Sequence, residues 1–296
     1  MRIINLDIKK VKYLGNISAA IGYFDGVHVA HQKLIKTCVD IANENHNIST
    51  VITFEPDPWT VIKPNKVGHL QPNKEKFKIF KQLGIELVIN FKFNKELLNT
   101  SAVDFIKVLE KLGVVNLICG YDFKFGYQGE GNINDLQTTE FTTTIVNEIT
   151  DGGKISSTSI SKLITNGEIT KANKYLSRNY QITGIVAHGK KNGRKIGFKT
   201  INLDLDFDYV IPQVGVYGGR VKIGRSWYAA IISIGSNPTF GNNPITIEAH
   251  LDNFNRSVYN KRAVIEFDKY LRAAKKFSSI AELVKQLNID KQYFNK

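Results

Sequence analysis

Residues 22–34 read Gly-Tyr-Phe-Asp-Gly-Val-His-Val-Ala-His-Gln-Lys-Leu, and they constrain the chain more than any other stretch. An apolar run, Ala19-Ala20-Ile21, enters a turn with glycines at 22 and 26. His28 and His31 follow, and Leu34, Ile35, Cys38, Val39 and Ala42 then recur at helical spacing. The segment reads as strand, glycine turn and helix. Gly22 and Gly26 let backbone N–H groups crowd round a phosphate, and a helix N-terminus adds partial positive charge. Two histidines three residues apart can both face that site. A surface turn with two solvated histidines is the plainer alternative, and the mutual agreement of the parts argues against it.

The first half of the chain alternates short apolar runs with helical patterns. Strands are expected at 19–24, 50–54, 87–90, 116–119 and 144–148, and helices at 31–44, 73–83, 101–111, 157–166 and 169–176. Such alternation makes a parallel sheet with helices on both faces. Folds of that kind bind ligands beyond the carboxyl ends of their strands, where the turn at 22–26 and the loop after Phe54 both fall. From about Tyr180 the texture changes. Segments 181–188, 215–223, 227–234, 245–251 and 263–270 alternate in the strand manner between Gly, Asn and Pro, and a terminal helix is expected at 279–287. Short strands with turn signals read as a small antiparallel barrel. The chain thus divides into 1–179 and 180–296, a boundary carried by pattern alone because no Pro/Ser-rich linker separates the halves.

The 296 residues include two cysteines, Cys38 and Cys119, each in an apolar pattern. They form neither a metal-ligand spacing nor a disulfide framework, and reduced thiols fit a cytoplasmic location. Met1–Asp7 is apolar only briefly before Lys9, Lys10 and Lys12, which is not a signal-peptide pattern. No apolar run is long enough to span a membrane. Formal net charge is +13 and uneven: residues 1–180 carry 22 Lys+Arg against 18 Asp+Glu, and residues 181–296 carry 18 against 9. A basic half suits a nucleic acid, a polyphosphate nucleotide or simply a lysine-rich solvated surface. Its basic residues cluster in one loop rather than in an aromatic-studded stripe, which argues against nucleic acid.

Six further segments carry chemistry. Thr53-Phe54-Glu55-Pro56-Asp57-Pro58 stiffens a loop leaving a strand. In Gly120-Tyr121-Asp122-Phe123-Lys124-Phe125-Gly126 the phenylalanines are a wall for a flat ring or a buried aromatic pair. Ile155-Ser156-Ser157-Thr158-Ser159-Ile160-Ser161 opens a helix, its hydroxyls serving as caps or as phosphate donors. His188-Gly189-Lys190-Lys191-Asn192-Gly193-Arg194-Lys195-Ile196-Gly197 has the glycines and cations of a polyphosphate loop but not the P-loop spacing, and a basic hairpin is the alternative. Beyond it, Thr200 and Asn202 share one face if they lie on a strand, where a hydroxyl and an amide oxygen suit Mg²⁺. In Thr246-Ile247-Glu248-Ala249-His250 a carboxylate flanked by apolar neighbours is expected to have a raised pKa and to serve as general base; an exposed strand glutamate is the alternative.

In this order and spacing, segments 22–34, 53–58, 120–126 and 155–161 resemble the N-terminal module of the prokaryotic riboflavin kinase/FAD synthetases, a Rossmann-like FMN adenylyltransferase of the nucleotidyltransferase superfamily. The resemblance implies an ATP site of Gly22, Phe24, Asp25, Gly26, His28, His31, Ser157 and Thr158, with both histidines catalytic, and a flavin side of Asp122, Phe123, Phe125 and Gly126. Three positions depart from the family pattern: Ala30 replaces glycine, Asp57 replaces histidine and Ser161 replaces arginine. Lys154 and Lys162 are the cations available to stand in for that arginine.

Residues 180–290 resemble the riboflavin kinase module, a Greek-key barrel, and are supported by Gly215-Val216-Tyr217, the run 234–241 and Leu271-Arg272. This resemblance implies that Thr200 and Asn202 hold Mg²⁺ and ATP, that Glu248 is the catalytic base toward riboflavin, and that Arg272 lies near the flavin. It also implies that His188, Gly189, Gly193 and Gly197 belong to a loop over the ATP phosphates. Lys199 replaces a proline, and Ala274 an acid. The whole implies a bifunctional enzyme making FMN and then FAD from riboflavin and ATP, with no nucleic acid or membrane partner. A monofunctional kinase, a monofunctional FAD synthetase and a flavin-binding regulator are the alternatives.

Overall fold

The computed structural model describes residues 1–62, 68–188, 200–236, 245–252, 254 and 256–295. The chain forms two compact units, Met1–Lys66 with Pro72–Ser156, and Val67–Gln71 with Ser157–Lys296.

The first unit is a six-stranded parallel sheet built from Arg2–Leu6 (β1), Ile17–Ile21 (β2), Ile48–Glu55 (β3), Leu87–Lys92 (β4), Val114–Gly120 (β5) and Thr142–Val146 (β6), in the order β1-β4-β3-β2-β5-β6. Helices Val29–Glu44 (α1), Pro58–Ile62 (α2), Asn73–Gln82 (α3), Lys95–Leu98 (α4) and Ala102–Leu112 (α5) join the strands. All five residues of β2 are buried, as a central strand covered on both faces requires. Ile17, Ala19 and Ile21 face one core with Phe105, Leu109 and Leu112 of α5. Ala20 faces the other, with Leu34, Ile35 and Cys38 of α1 and Phe80 of α3. The strand order reverses beside β2, so the loops after β2 and β5 leave adjacent carboxyl ends.

The expected strand 19–24 stops at Ile21, because Phe24 takes a left-handed backbone (φ 58°) that cannot continue a strand. Strand β1 was not expected: it is a half-exposed edge whose alternation is broken by Arg2 and Asn5.

The second unit opens with Ser157–Thr165 (α6) and Ile169–Leu176 (α7) and continues as a closed antiparallel barrel. Its strands are Tyr180–Ala187 (β7), Thr200–Leu205 (β8), Gly215–Ile223 (β9), Ser226–Ser236 (β10), Ile245–Leu251 (β11) and Arg262–Arg272 (β12), in the order β10-β11-β8-β7-β12-β9. Ile182, Ile201, Tyr217, Ile232, Ile247, Ala249, Ile265 and Phe267 are buried at alternating positions of these strands. Helix Ile280–Lys291 (α8) starts at a Ser279 cap on the Glu282 amide and runs four residues past the expected end at Leu287. Both folds foreseen from the sequence, the parallel helix-flanked sheet and the barrel with a terminal helix, are present.

Candidate functional sites

In the first unit the turn after β2 is held open by unusual backbone. Phe24, Gly26 and Val27 have φ of 58°, 79° and 39°, and a β-branched residue tolerates that only under firm local support. The support is visible. Gln32 Nε2 donates to the Val27 carbonyl at 2.9 Å, and the Val27 amide donates to the Phe24 carbonyl at 3.1 Å. The Tyr23 carbonyl accepts from Thr53 Oγ1 at 3.2 Å and from Lys76 Nζ at 2.8 Å.

His28 is the extended residue just before α1, and its ring stacks on that of His31 with centroids 3.6 Å apart; Phe24 meets His31 edge-on at 5.2 Å. The histidine pair is therefore one object at a helix N-terminus. Burial, then His28, then Lys76 push the His31 pKa well below the ordinary range, which favours the neutral ring. Asp57 is buried, and its carbonyl accepts from the Thr60 amide at 3.0 Å at the start of α2.

On the loop after β5, Phe125 is core, packed on Phe105 at 5.9 Å, and Phe123 stacks on it at 5.4 Å while keeping one face partly exposed. Phe125 is thus buried as the aromatic-pair alternative has it, and Phe123 is only partly so. Gly126 is required at its place: with φ of 76°, a Cβ there would stand 2.7 Å from the Ala102 amide nitrogen. Asp122 is exposed and paired with Lys154, whose ammonium also meets the Tyr121 hydroxyl at 2.9 Å. Ser157 and Thr158 begin α6, which falls in the second unit. Ser161 turns its hydroxyl back onto the Ser157 carbonyl at 2.8 Å.

On the barrel, strand register brings together what the sequence only proposed. Asn202 of β8 lies opposite Glu248 of β11, Thr200 opposite His250, and Ser233 of β10 opposite Glu248 on the other side. Thr200 Oγ1 is 3.5 Å from Glu248 Oε2. Ile201, Ile247 and Ala249 alternate with these residues and are buried. Thr200, Asn202, Glu248 and His250 therefore share the outer face. Among the described residues the apolar surroundings expected for Glu248 are not found: its sequence neighbours turn into the barrel, and its cross-strand neighbours are Asn202 and Ser233, with the Thr200 hydroxyl nearby. A hydroxyl, an amide oxygen and a carboxylate side by side are the hard oxygen donors a Mg²⁺ ion takes, so this donor set fits such an ion.

Arg272 ends β12 and pairs with the buried Asp290 of α8, Nε to Oδ1 at 3.0 Å and a terminal nitrogen to Oδ2 at 2.6 Å. His188 stacks on Tyr259 at 3.8 Å. Gly189, Gly193, Gly197 and Lys199 lie outside the described residues.

Sequence reasoning did not single out Lys76, Ser233, His250 or Asp290. For Lys76 a signal existed: it falls on the stripe with Phe80 and Leu83 that the core side of α3 requires, a place where lysine is rare unless paired.

Residues 10–159 match the FAD synthetase family and residues 176–296 the riboflavin kinase family. The bifunctional riboflavin kinase/FMN adenylyltransferase of Listeria monocytogenes is 35% identical over 281 residues, covering 92% of this chain and 90% of that one. The protein of the same name from Bacillus subtilis is 36% identical over 283 residues, with the same coverage. A crystal structure from Streptococcus pneumoniae, named a macrolide-efflux protein, superposes with a TM-score of 0.91 at 29% identity, covering 98% of this chain and 97% of that one. Among the described residues of this chain no helix is long and apolar enough to cross a membrane.

Proposed function

The chain belongs to the bifunctional riboflavin kinase/FMN adenylyltransferases, and from that premise we propose that residues 180–296 phosphorylate riboflavin to FMN and that residues 1–179 convert FMN to FAD, each with ATP. In the first reaction the ribityl 5′-hydroxyl gives its proton to Glu248 while its oxygen attacks the γ-phosphorus, and ADP leaves. Thr200 and Asn202 hold Mg²⁺ and ATP; the ion, when bound, neutralises charge on the transferred phosphoryl group. His188 and the glycines at 189, 193 and 197 are assigned to the phosphates, and Arg272 to the flavin side. The observation that supports this reading best is the register that sets Asn202 against Glu248, with the Thr200 hydroxyl 3.5 Å from the carboxylate.

In the second reaction a phosphate oxygen of FMN attacks the α-phosphorus of the second ATP, and pyrophosphate leaves. The attacking oxygen carries no proton to be removed, so positioning and charge neutralisation supply the rate. His28 and His31 meet the ATP phosphates with Gly22, Phe24, Asp25 and Gly26, and Ser157 and Thr158 also bind the nucleotide. Asp122, Phe123, Phe125 and Gly126 hold the flavin. Flavins and ATP are then the partners, and the cytoplasm is the location, where the buried thiols of Cys38 and Cys119 stay reduced.

The test is incubation with riboflavin, ATP and Mg²⁺, with FMN and FAD resolved by chromatography. FMN is expected first and FAD after it. FMN without FAD leaves a kinase alone, FAD only from supplied FMN leaves a synthetase alone, and retained flavin without product makes the protein a flavin-binding regulator.

A further inference from the structure

Lys76 is fully buried on α3. A buried ammonium persists only where charges and hydrogen bonds replace its lost water. Its Nζ donates to the Tyr23 carbonyl at 2.8 Å and lies 3.6 Å from the centre of the Tyr23 ring. Three carboxylates act on it: Asp25 from the turn after β2, and Glu55 and Asp57 from the end of β3 and the loop beyond. Asp25 and Asp57 are themselves buried. Lys76 thus bonds the turn after β2 at the same Tyr23 carbonyl that Thr53 of β3 reaches, and the acids of that turn and of the loop after β3 favour its charged form.

We propose that Lys76 is a positioning residue of the adenylyltransferase site: its cation ties the 22–28 turn to the 55–58 loop and offsets Asp25 and Asp57, so that an ATP triphosphate at His28 and His31 meets no uncompensated negative charge behind the turn. This rests on residues 22–34 being the ATP-phosphate site. It also gives the departure at position 57 a physical place. The acid that stands where the family carries histidine has a buried counter-cation in Lys76. The strained turn needs such a tie, because Phe24 and Val27 hold positive φ only while their surroundings fix them.

The groups that face Lys76 are Asp25, Asp57, Glu55, the Tyr23 phenol and His31. Burial outweighs the three acids and lowers the Lys76 pKa to about 8; burial and the same acids raise that of Tyr23. Above about pH 8 the ammonium deprotonates and the acids lose their counter-cation. The sign for stability is opposite. The folded pKa lies below the ordinary lysine value of 10.5, so between the two values the unfolded chain binds more protons and this group's contribution to stability rises with pH. A fall in FAD formation across that window is therefore not caused by unfolding at Lys76.

The experiment uses the full chain with FMN, ATP and Mg²⁺, measuring FAD formation from about pH 6.5 to about pH 9.5, with FMN formation from riboflavin read in parallel. Wild-type FAD formation is expected to fall through about pH 8, mainly through KM for ATP, and Lys76→Arg is expected to carry the fall beyond the range, since arginine stays protonated. Lys76→Met is expected to lower kcat/KM for ATP about tenfold at neutral pH while FMN formation holds. Adding Asp57→Asn to Lys76→Met is expected to recover about threefold, because the charge left behind is removed. Coincident wild-type and Lys76→Arg profiles overturn the inference even if Lys76→Met does not fold, as does a double variant no better than a folded Lys76→Met. FAD from the wild type with either result strikes this inference alone. No FAD from the wild type at any pH strikes the functional reading and this inference with it.

Discussion

At the scale of a residue, Ser161 is the departure that removes a charge from the family pattern. Where the family carries arginine, this chain has a hydroxyl that donates to the Ser157 carbonyl at 2.8 Å, the back-bond a serine makes inside a helix. That hydroxyl brings no charge to a phosphate. Of the two cations considered as replacements, Lys154 pairs with Asp122 and the Tyr121 hydroxyl, and Lys162 is exposed on α6. A charge-assisted hydrogen bond is worth about 1.5–3 kcal/mol, or roughly tenfold and upward in rate. Ser161→Arg is expected to raise kcat/KM for ATP in FAD formation by about that factor, measured with FMN supplied. An unchanged rate would show that the missing guanidinium is not what limits this step.

At the scale of elements, a buried polar link fastens α8 to the barrel. Asp290 takes the fork of Arg272 on both carboxylate oxygens and accepts from Gln286 Nε2 at 3.0 Å. Removing one partner of a buried pair leaves the other charge uncompensated, at a cost of about 3–5 kcal/mol. Asp290→Ala is expected to lower the urea midpoint of the second unit accordingly, followed through Trp227 on β10, and to raise KM for riboflavin because Arg272 loses its orientation. Asp290→Asn, which keeps an acceptor, should lose less. An equal midpoint in all three proteins would mean that apolar contacts alone hold α8. The pair also marks a limit of sequence reading. Elements whose central residues are buried, β2, β3 and β4 among them, were legible to within a few residues because burial on both faces favours apolar and β-branched side chains. The edge strand β1 was not, since half of it faces solvent. Thr200, Asn202 and Glu248 were recognisable by residue type, but nothing in a linear pattern states that Asn202 lies opposite Glu248. The partners of Lys76 and Asp290 were hidden for the same reason, since they lie 53 and 18 residues away.

For the whole molecule, the decisive property is that FMN is the product of one site and the substrate of the other, while the residues assigned to the two chemical steps share no member. His28 and His31 stand on the turn after β2 of the parallel sheet, and Glu248 stands on the outer face of the barrel. Each reaction should therefore be removable alone. Glu248→Gln keeps the shape of the side chain and loses the base, so FMN formation is expected to drop by about 10²–10⁴, the usual contribution of a general base, while supplied FMN still becomes FAD. His28→Ala removes a phosphate contact, so FMN should accumulate from riboflavin while FAD formation slows about tenfold or more. Mixed in equal amounts, the two variants should carry riboflavin through to FAD after a lag, because FMN made on one chain diffuses to the other. A matching loss of both activities in either single variant would contradict separate sites, and a mixture that makes FMN but no more FAD than His28→Ala alone would contradict passage of FMN through solution.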